Sequence, residues 1–348
     1  MKNLSRKIIL ISVGVLVSCV ILEIGLHLTD HSEYNRFQND LASGLLTYKP
    51  HSTFHDSESC FDNVVQVNNL GFHGPEVKIE KEKNIYRIEV IGSSFVEALQ
   101  VPLEKMFTSL LQDKLNSNKS LPYIFEVVPV AFSGNKTFEN ILYYLRFGKE
   151  LKPDLVINLV TEYEPRGEAS LKLDEQGKII LSLSKTSQDS KTVMIKNTMR
   201  KSKLLMNIYN KLVLLKGTKR NFFLFSKPET ADPVNNTTST SQWEKEDKVL
   251  ATFSNEVLSD KSKFLLVSWP TPHIEPSEYN GLSTNLERIA KKDNFSYYNL
   301  EPKMTSEATL NARSTVWTCN DHWSTDGHLY AADVIYEYLI SNPKFITK

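Results

Sequence analysis

The sequence predicts an α/β fold: a doubly wound parallel sheet in three α/β/α layers, following a single N-terminal transmembrane helix. Three observations carry this expectation. Short apolar strand-like runs alternate with amphipathic helical runs, the third of these strands is apolar almost without interruption, and a long apolar segment follows basic residues at the N-terminus. Alternating strands and helices build parallel sheets, and a strand apolar on both faces suits a sheet covered on both sides.

In chain order, Lys2, Arg6 and Lys7 precede a run from Ile8 to Leu28 whose only formal charge is Glu23. As a helix that run would extend roughly 31 Å, about the thickness of a hydrocarbon core. Basic residues on its amino side predict a cytoplasmic N-terminus and an extracytoplasmic chain after residue 30. The membrane is thus the first expected partner, through residues 8–28. Two alternatives stay open. A cleaved signal peptide lacks a small-residue cleavage site followed by polar sequence. Leu16-Val17-Ser18-Cys19 fits a bacterial lipobox that would lipidate Cys19, although Val20-Ile21-Leu22 continue the apolar run.

Residues 31–84 are polar and turn-rich and read as an extended N-terminal segment, with Asn68-Asn69-Leu70-Gly71-Phe72 and Gly74-Pro75 as breakers. The alternation then begins. Ile85–Ile91 reads as a strand, Pro102–Asn116 as an amphipathic helix, Ile124–Ala131 as a strand, Thr137–Leu151 as a helix and Asp154–Val160 as a strand. It resumes with the strand Lys263–Trp269, the helix Ser283–Lys292, the strand Phe295–Leu300 and the helix Thr325–Ser341. Between them, residues 165–260 read as an insertion in a domain spanning 85–342. It holds a hairpin around Asp174-Glu175-Gln176-Gly177-Lys178, a basic helical stretch at Lys196–Lys216 and a Ser/Thr/Asn/Pro-rich stretch from Lys227 to Gln242.

Composition excludes some functions. Lys+Arg and Asp+Glu each total 41, with no basic stripe, which weighs against a nucleic-acid partner. No Cys/His cluster has zinc spacing and no glycine-rich phosphate loop is present, so neither metal nor cofactor is expected. Of three cysteines, Cys19 lies in the apolar run; Cys60 and Cys319 could pair in an oxidising compartment or remain thiols.

Doubly wound sheets bind ligands at the carboxyl ends of their strands. There the sequence offers Gly92-Ser93-Ser94-Phe95 after the first strand and Ser133-Gly134-Asn135 after the second. Asn320-Asp321-His322-Trp323-Ser324, then Gly327-His328, precede the last helix. A serine hydroxyl needs a base to take its proton, so Ser94 requires His322, with Asp321 as a carboxylate able to orient the ring. The backbone N–H groups of Ser94 and Gly134 are the natural oxyanion donors. His328 reads as structural.

These blocks resemble those of the SGNH (GDSL-like) hydrolases, in particular membrane-anchored bacterial members. The family's Gly-Asp-Ser-Phe corresponds to Gly92-Ser93-Ser94-Phe95, its second-block glycine to Gly134, and its last block to His322-Trp323-Ser324 with Gly327-His328. The resemblance covers roughly residues 65–160 and 260–342. It implies a flavodoxin-like three-layer fold and an esterase, or an O-acyl transferase or deacylase, forming an acyl-serine intermediate. With the predicted location, O-acyl groups on envelope or extracellular glycans are the expected substrates. Three departures stand out. Ser93 replaces the usual aspartate. The third block runs Thr161-Glu162-Tyr163-Glu164 without the asparagine that donates to the oxyanion, a loss that typically costs ~10²–10³ in rate. Asn320 occupies one of the two positions, with Cys319 the other, where the family places its acid; a comparable Asp→Asn exchange in a serine protease costs ~10⁴. A catalytically silent domain that binds glycan or assists envelope assembly, and an unrelated flavodoxin-like binding domain, are the competing expectations.

Overall fold

Five parallel strands form the central sheet. In chain order the strands are β1 Phe37–Asn39, β2 Leu46–Tyr48, β3 Thr53–Glu58, β4 Phe61–Gln66, β5 Ile85–Gly92, β6 Ile124–Ala131, β7 Leu155–Val160, β8 Lys263–Ser268 and β9 Ser296–Asn299. The sheet runs β6-β5-β7-β8-β9, every pair parallel. This is the doubly wound order, and its direction reverses at β5, between β6 and β7. The computed structural model describes residues 2–29, 36–160, 190–215, 240–269, 276–303 and 318–348. The expected hairpin at 174–178, the third-block residues 161–164 and positions 227–239 lie outside these.

The chain divides into two compact units, Met1–Thr47 with Ser184–Pro233, and Tyr48–Leu183 with Val234–Lys348. In the second, side-chain alternation along the strands assigns the two faces of the sheet. Tyr86, Ile88 and Val90 of β5 and Leu155, Ile157 and Leu159 of β7 share a core with α3 (Phe107–Ser117) and the last helix, Thr325–Ser341. The opposite face meets α4 (Thr137–Tyr143) and the helix Thr240–Ser259. There Asn140 donates to Asn158 of β7 at 3.0 Å, both side chains fully buried.

Three differences from the sequence expectation have local causes. The helix expected over Thr137–Leu151 is α-helical only to Tyr143, continuing as one π turn, Tyr144–Gly148, and one 3₁₀ turn, Lys149–Leu151. The π turn ends at Gly148, where the buried Glu89 carboxylate fills the space a Cβ would need. Residues 240–259, read as part of the insertion, form a regular helix burying Val249, Leu250, Phe253 and Val257. Finally, the segment read as extended contains a hairpin: β3 and β4 pair antiparallel, Phe54 opposite Val65 and Glu58 opposite Phe61. Its inward side chains Phe54, Asn63 and Val65 are buried, and Asn63 donates to the carbonyls of Leu99 and Val101, both at 2.7 Å.

In the other unit, α1 (Lys2–Thr29) contains one stretch, Arg6–Leu28, long and apolar enough to cross a membrane. Its Glu23 carboxylate accepts from Ser202 Oγ at 2.8 Å and from the backbone N–H groups of Lys203 and Leu204 at 2.9 and 3.0 Å. Those are first-turn donors of the helix Lys203–Leu215, which have no partner within their own helix. Of the basic stretch at Lys196–Lys216, Lys196 lies on the helix Ser190–Met199 and Lys203 and Lys211 on the helix Lys203–Leu215, while Lys216 lies outside the described residues.

Candidate active site

Gly92 ends β5 where a side chain would not fit. A Cβ there would stand 2.5 Å from Val96 Cγ2 and 3.0 Å from the Leu159 carbonyl oxygen. The bare glycine lets the chain turn directly off the strand into α2 (Ser94–Glu97), with Ser94 as its first residue. On the neighbouring strand, β6 ends at Ala131, and Gly134 adopts a left-handed φ of 83°, which a residue with a side chain rarely accepts. Glu97 joins the two turns: its carboxylate accepts from the backbone N–H of Ser133 at 3.1 Å and from the Ser133 hydroxyl. Asn135, next in the chain, is buried, and its Nδ2 has no hydrogen-bond partner among the described residues.

The third turn is a tight loop entering the last helix. Thr318 N–H donates to the His322 carbonyl at 2.8 Å, Asp321 N–H to the Thr318 carbonyl at 3.2 Å, and His322 N–H to Thr318 Oγ1 at 3.3 Å. Asp321 takes a left-handed φ of 62°, a conformation Asp tolerates better than most residues. Ser324 caps the helix by accepting from Gly327 N–H at 3.3 Å. Trp323, fully buried, lies edge-on against Phe95, Phe107 and Trp269, and Gln100 Nε2 donates to its carbonyl at 2.9 Å. The residue before Trp323 is thereby held to one place.

Across a sequence separation of 228, His322 Nε2 lies 2.7 Å from Ser94 Oγ. The other ring nitrogen, Nδ1, lies 2.9 Å from the Asn320 carbonyl oxygen and 3.2 Å from Asn320 Oδ1. Both atoms are acceptors, so Nδ1 carries the ring proton and Nε2 is the free base facing the serine. Asp321 acts on the ring by charge. Burial lowers the His322 pKa below that of free imidazole, while the Asn320 carbonyl and the charges of Asp321, Glu58 and Asp56 oppose that shift. A neutral base next to an alcohol can accept its proton and stabilise the resulting alkoxide equivalent during attack on a carbonyl.

His328 points elsewhere. It is fully buried, stacked on Phe107, accepts from Phe107 N–H at 3.3 Å, and burial drives its pKa down to about 3. Cys60 and Cys319 are joined by a disulfide. Sequence reasoning did not find Glu58, which accepts from Asn320 Nδ2 at 3.1 Å, nor Glu97. Only Cys60, two residues after Glu58, hinted that this hairpin belongs near the histidine.

No protein-family profile matches the chain, and no curated protein matches it. Solved structures do align with it. TesA shares 13% identity over 73% of this chain and 97% of its own, with a TM-score of 0.42. The acetyl xylan esterase AlAXEase shares 14% over 73% and 99%, at 0.43. The psychrotrophic esterase EstA from Pseudoalteromonas sp. shares 12% over 74% and 98%, at 0.43. Identities this low carry no information on substrate.

Proposed function

We propose that the chain is a membrane-anchored, extracytoplasmic serine hydrolase of esters, acting through an acyl-Ser94 intermediate. The observation that carries the reading is the 2.7 Å contact between Ser94 Oγ and His322 Nε2, with Nδ1 turned to acceptors. Ser94 Oγ attacks the ester carbonyl carbon as its proton passes to Nε2, and the backbone N–H groups of Ser94 and Gly134 receive the oxyanion. Collapse breaks the bond to the alcohol oxygen, which leaves with the proton from Nε2. Water, or the hydroxyl of an acceptor, then attacks the acyl carbon as its proton passes to Nε2; the bond to Ser94 Oγ breaks and the serine takes that proton back, giving hydrolysis or transfer. O-acyl groups on envelope or extracellular glycans are the substrate class we favour. Support for it is the family resemblance, the apolar Arg6–Leu28 stretch and the disulfide, which suits an oxidising compartment.

Asn320 at one of the acid's two possible positions favours the second reading, a silent glycan-binding domain. Labelling with a fluorophosphonate decides between them. We expect one adduct per chain, on Ser94, absent in Ser94→Ala. A folded wild-type protein that takes no label would overturn the hydrolase reading and favour the silent domain.

A further inference from the structure

We propose that Glu58 is a positioning residue of the Ser94–His322 pair, acting through the Asn320 amide and held in place by the Cys60–Cys319 disulfide; this rests on the acyl-serine reading above. Glu58 is the last residue of β3, and its Oε1 accepts from Asn320 Nδ2 at 3.1 Å. Two residues on, Cys60 is bonded to Cys319, the residue immediately before Asn320, and Cys319 N–H donates to Cys60 Sγ at 2.8 Å. The hairpin tip and the histidine loop are therefore fastened beside the contact itself.

The chemistry follows from what each group can offer. A carboxylate only accepts, so Glu58 takes the amide's donor end and turns Oδ1 inward, to His322 Nδ1 at 3.2 Å and to the Thr318 hydroxyl at 2.6 Å. An inverted amide would present N–H groups to Nδ1 and favour the other tautomer. Nε2 would then carry a proton and could not take one from Ser94. The Asn320 carbonyl alone already favours the productive tautomer, so Glu58 reinforces it. Its charge also favours the imidazolium that forms as Ser94 is deprotonated. The charged groups acting on His322 are Glu58 and Asp56 from β3 and Asp321 from the loop, while the neighbouring His328 is held neutral by burial. Because Glu58 is exposed, the effect is modest, about two- to fivefold in rate.

The test has two readouts. In Ser94→Ala protein, NMR titration of His322 in the Glu58→Gln variant should give a pKa lower than with Glu58 present. In otherwise wild-type protein, Glu58→Gln should slow fluorophosphonate labelling of Ser94 about two- to fivefold. Replacing both disulfide cysteines by serine should slow labelling to the same degree, and should add nothing in the Glu58→Gln background. Asn320→Ala should likewise shrink the further effect of Glu58→Gln to the part that its charge alone exerts on the imidazole. An unchanged His322 pKa together with an unchanged labelling rate in Glu58→Gln overturns the proposal, as does full additivity with Asn320→Ala. If wild type takes no label, the hydrolase reading falls on its own, and the NMR titration still decides whether Glu58 acts on the imidazole.

Discussion

At the scale of single residues, burial separates three of the histidines in this chain. His322 is partly exposed to its partners and remains a usable base, whereas His73 and His328 are fully packed and held neutral. Burial lowers His73 to about 4 and His328 to about 3. In the unfolded chain each would titrate near 6.5, so between these values the unfolded state binds more protons. The stability these two residues confer is complete above pH 6.5 and is lost as the pH falls towards 4. The buried Glu246, raised to about 7, works in the opposite sense, losing its contribution as pH rises from 4.5 through 7. Comparing wild type with His328→Gln isolates one histidine: between pH 6.5 and 5 the variant should lose less stability than wild type, by a slope that approaches about 1.4 kcal/mol per pH unit at the lower end, read by denaturant unfolding. A slope identical to wild type would mean that His328 is protonated within the fold. The residues at strand ends, Ser94, Gly134 and His322, were legible because the alternation of elements says where such ends meet. Glu58 was not, because its contact spans a sequence separation of 262 and no periodicity encodes it.

At the scale of elements, the turn after β5 is decided by packing rather than by hydrogen bonds. Gly92 faces Val96 and the Leu159 carbonyl so closely that any Cβ must displace one of them. Both are buried, Val96 on α2 and Leu159 in the neighbouring strand, so neither can yield cheaply. Gly92→Ala should therefore destabilise the protein by about 1–3 kcal/mol and displace Ser94 from His322. Thermal unfolding would record the first effect and a slower rate of Ser94 labelling the second; a variant with wild-type stability and labelling would show that the turn has slack. The strands β5 to β8 were readable because each is a short, largely apolar run, and β9 because its two tyrosines are flanked by turn residues. The helix Thr240–Ser259 was obscured, although its buried Val249, Leu250, Phe253 and Val257 keep helical spacing, because it begins inside a Ser/Thr-rich stretch that resembles a loop. The β3–β4 hairpin was hidden differently. Asn63 is one of its inward residues, buried by its bonds to Leu99 and Val101, so the apolar alternation that betrays a strand is broken there.

At the scale of the whole molecule, the proposed location rests on the N-terminal helix. Its 23-residue stretch Arg6–Leu28 has a mean hydropathy of 2.6. As a helix that stretch reaches roughly 35 Å, enough to cross a bilayer with some tilt. A carboxylate in such a helix is costly unless partnered, and Glu23 has the Ser202 hydroxyl and two backbone N–H donors. A spanning helix that persists in the mature protein and a lipoprotein cut before Cys19 make opposite statements about the same residues. In the first, residues 1–18 stay attached and hold the chain in the bilayer; in the second they are lost and Cys19 carries acyl chains. Membranes from cells producing the full chain should retain the protein through an alkaline carbonate wash. Intact-mass measurement of the extracted protein should show residues 1–18 present and Cys19 unmodified. Protease added from the extracytoplasmic side should digest the domain that contains Ser94 and leave a fragment the size of the anchor. A mass lacking the first 18 residues and raised by lipid would replace the helix with an acyl anchor, while leaving the domain on the same side of the membrane. Protection of the Ser94 domain would reverse the orientation, and with it the case for a glycan substrate outside the cell.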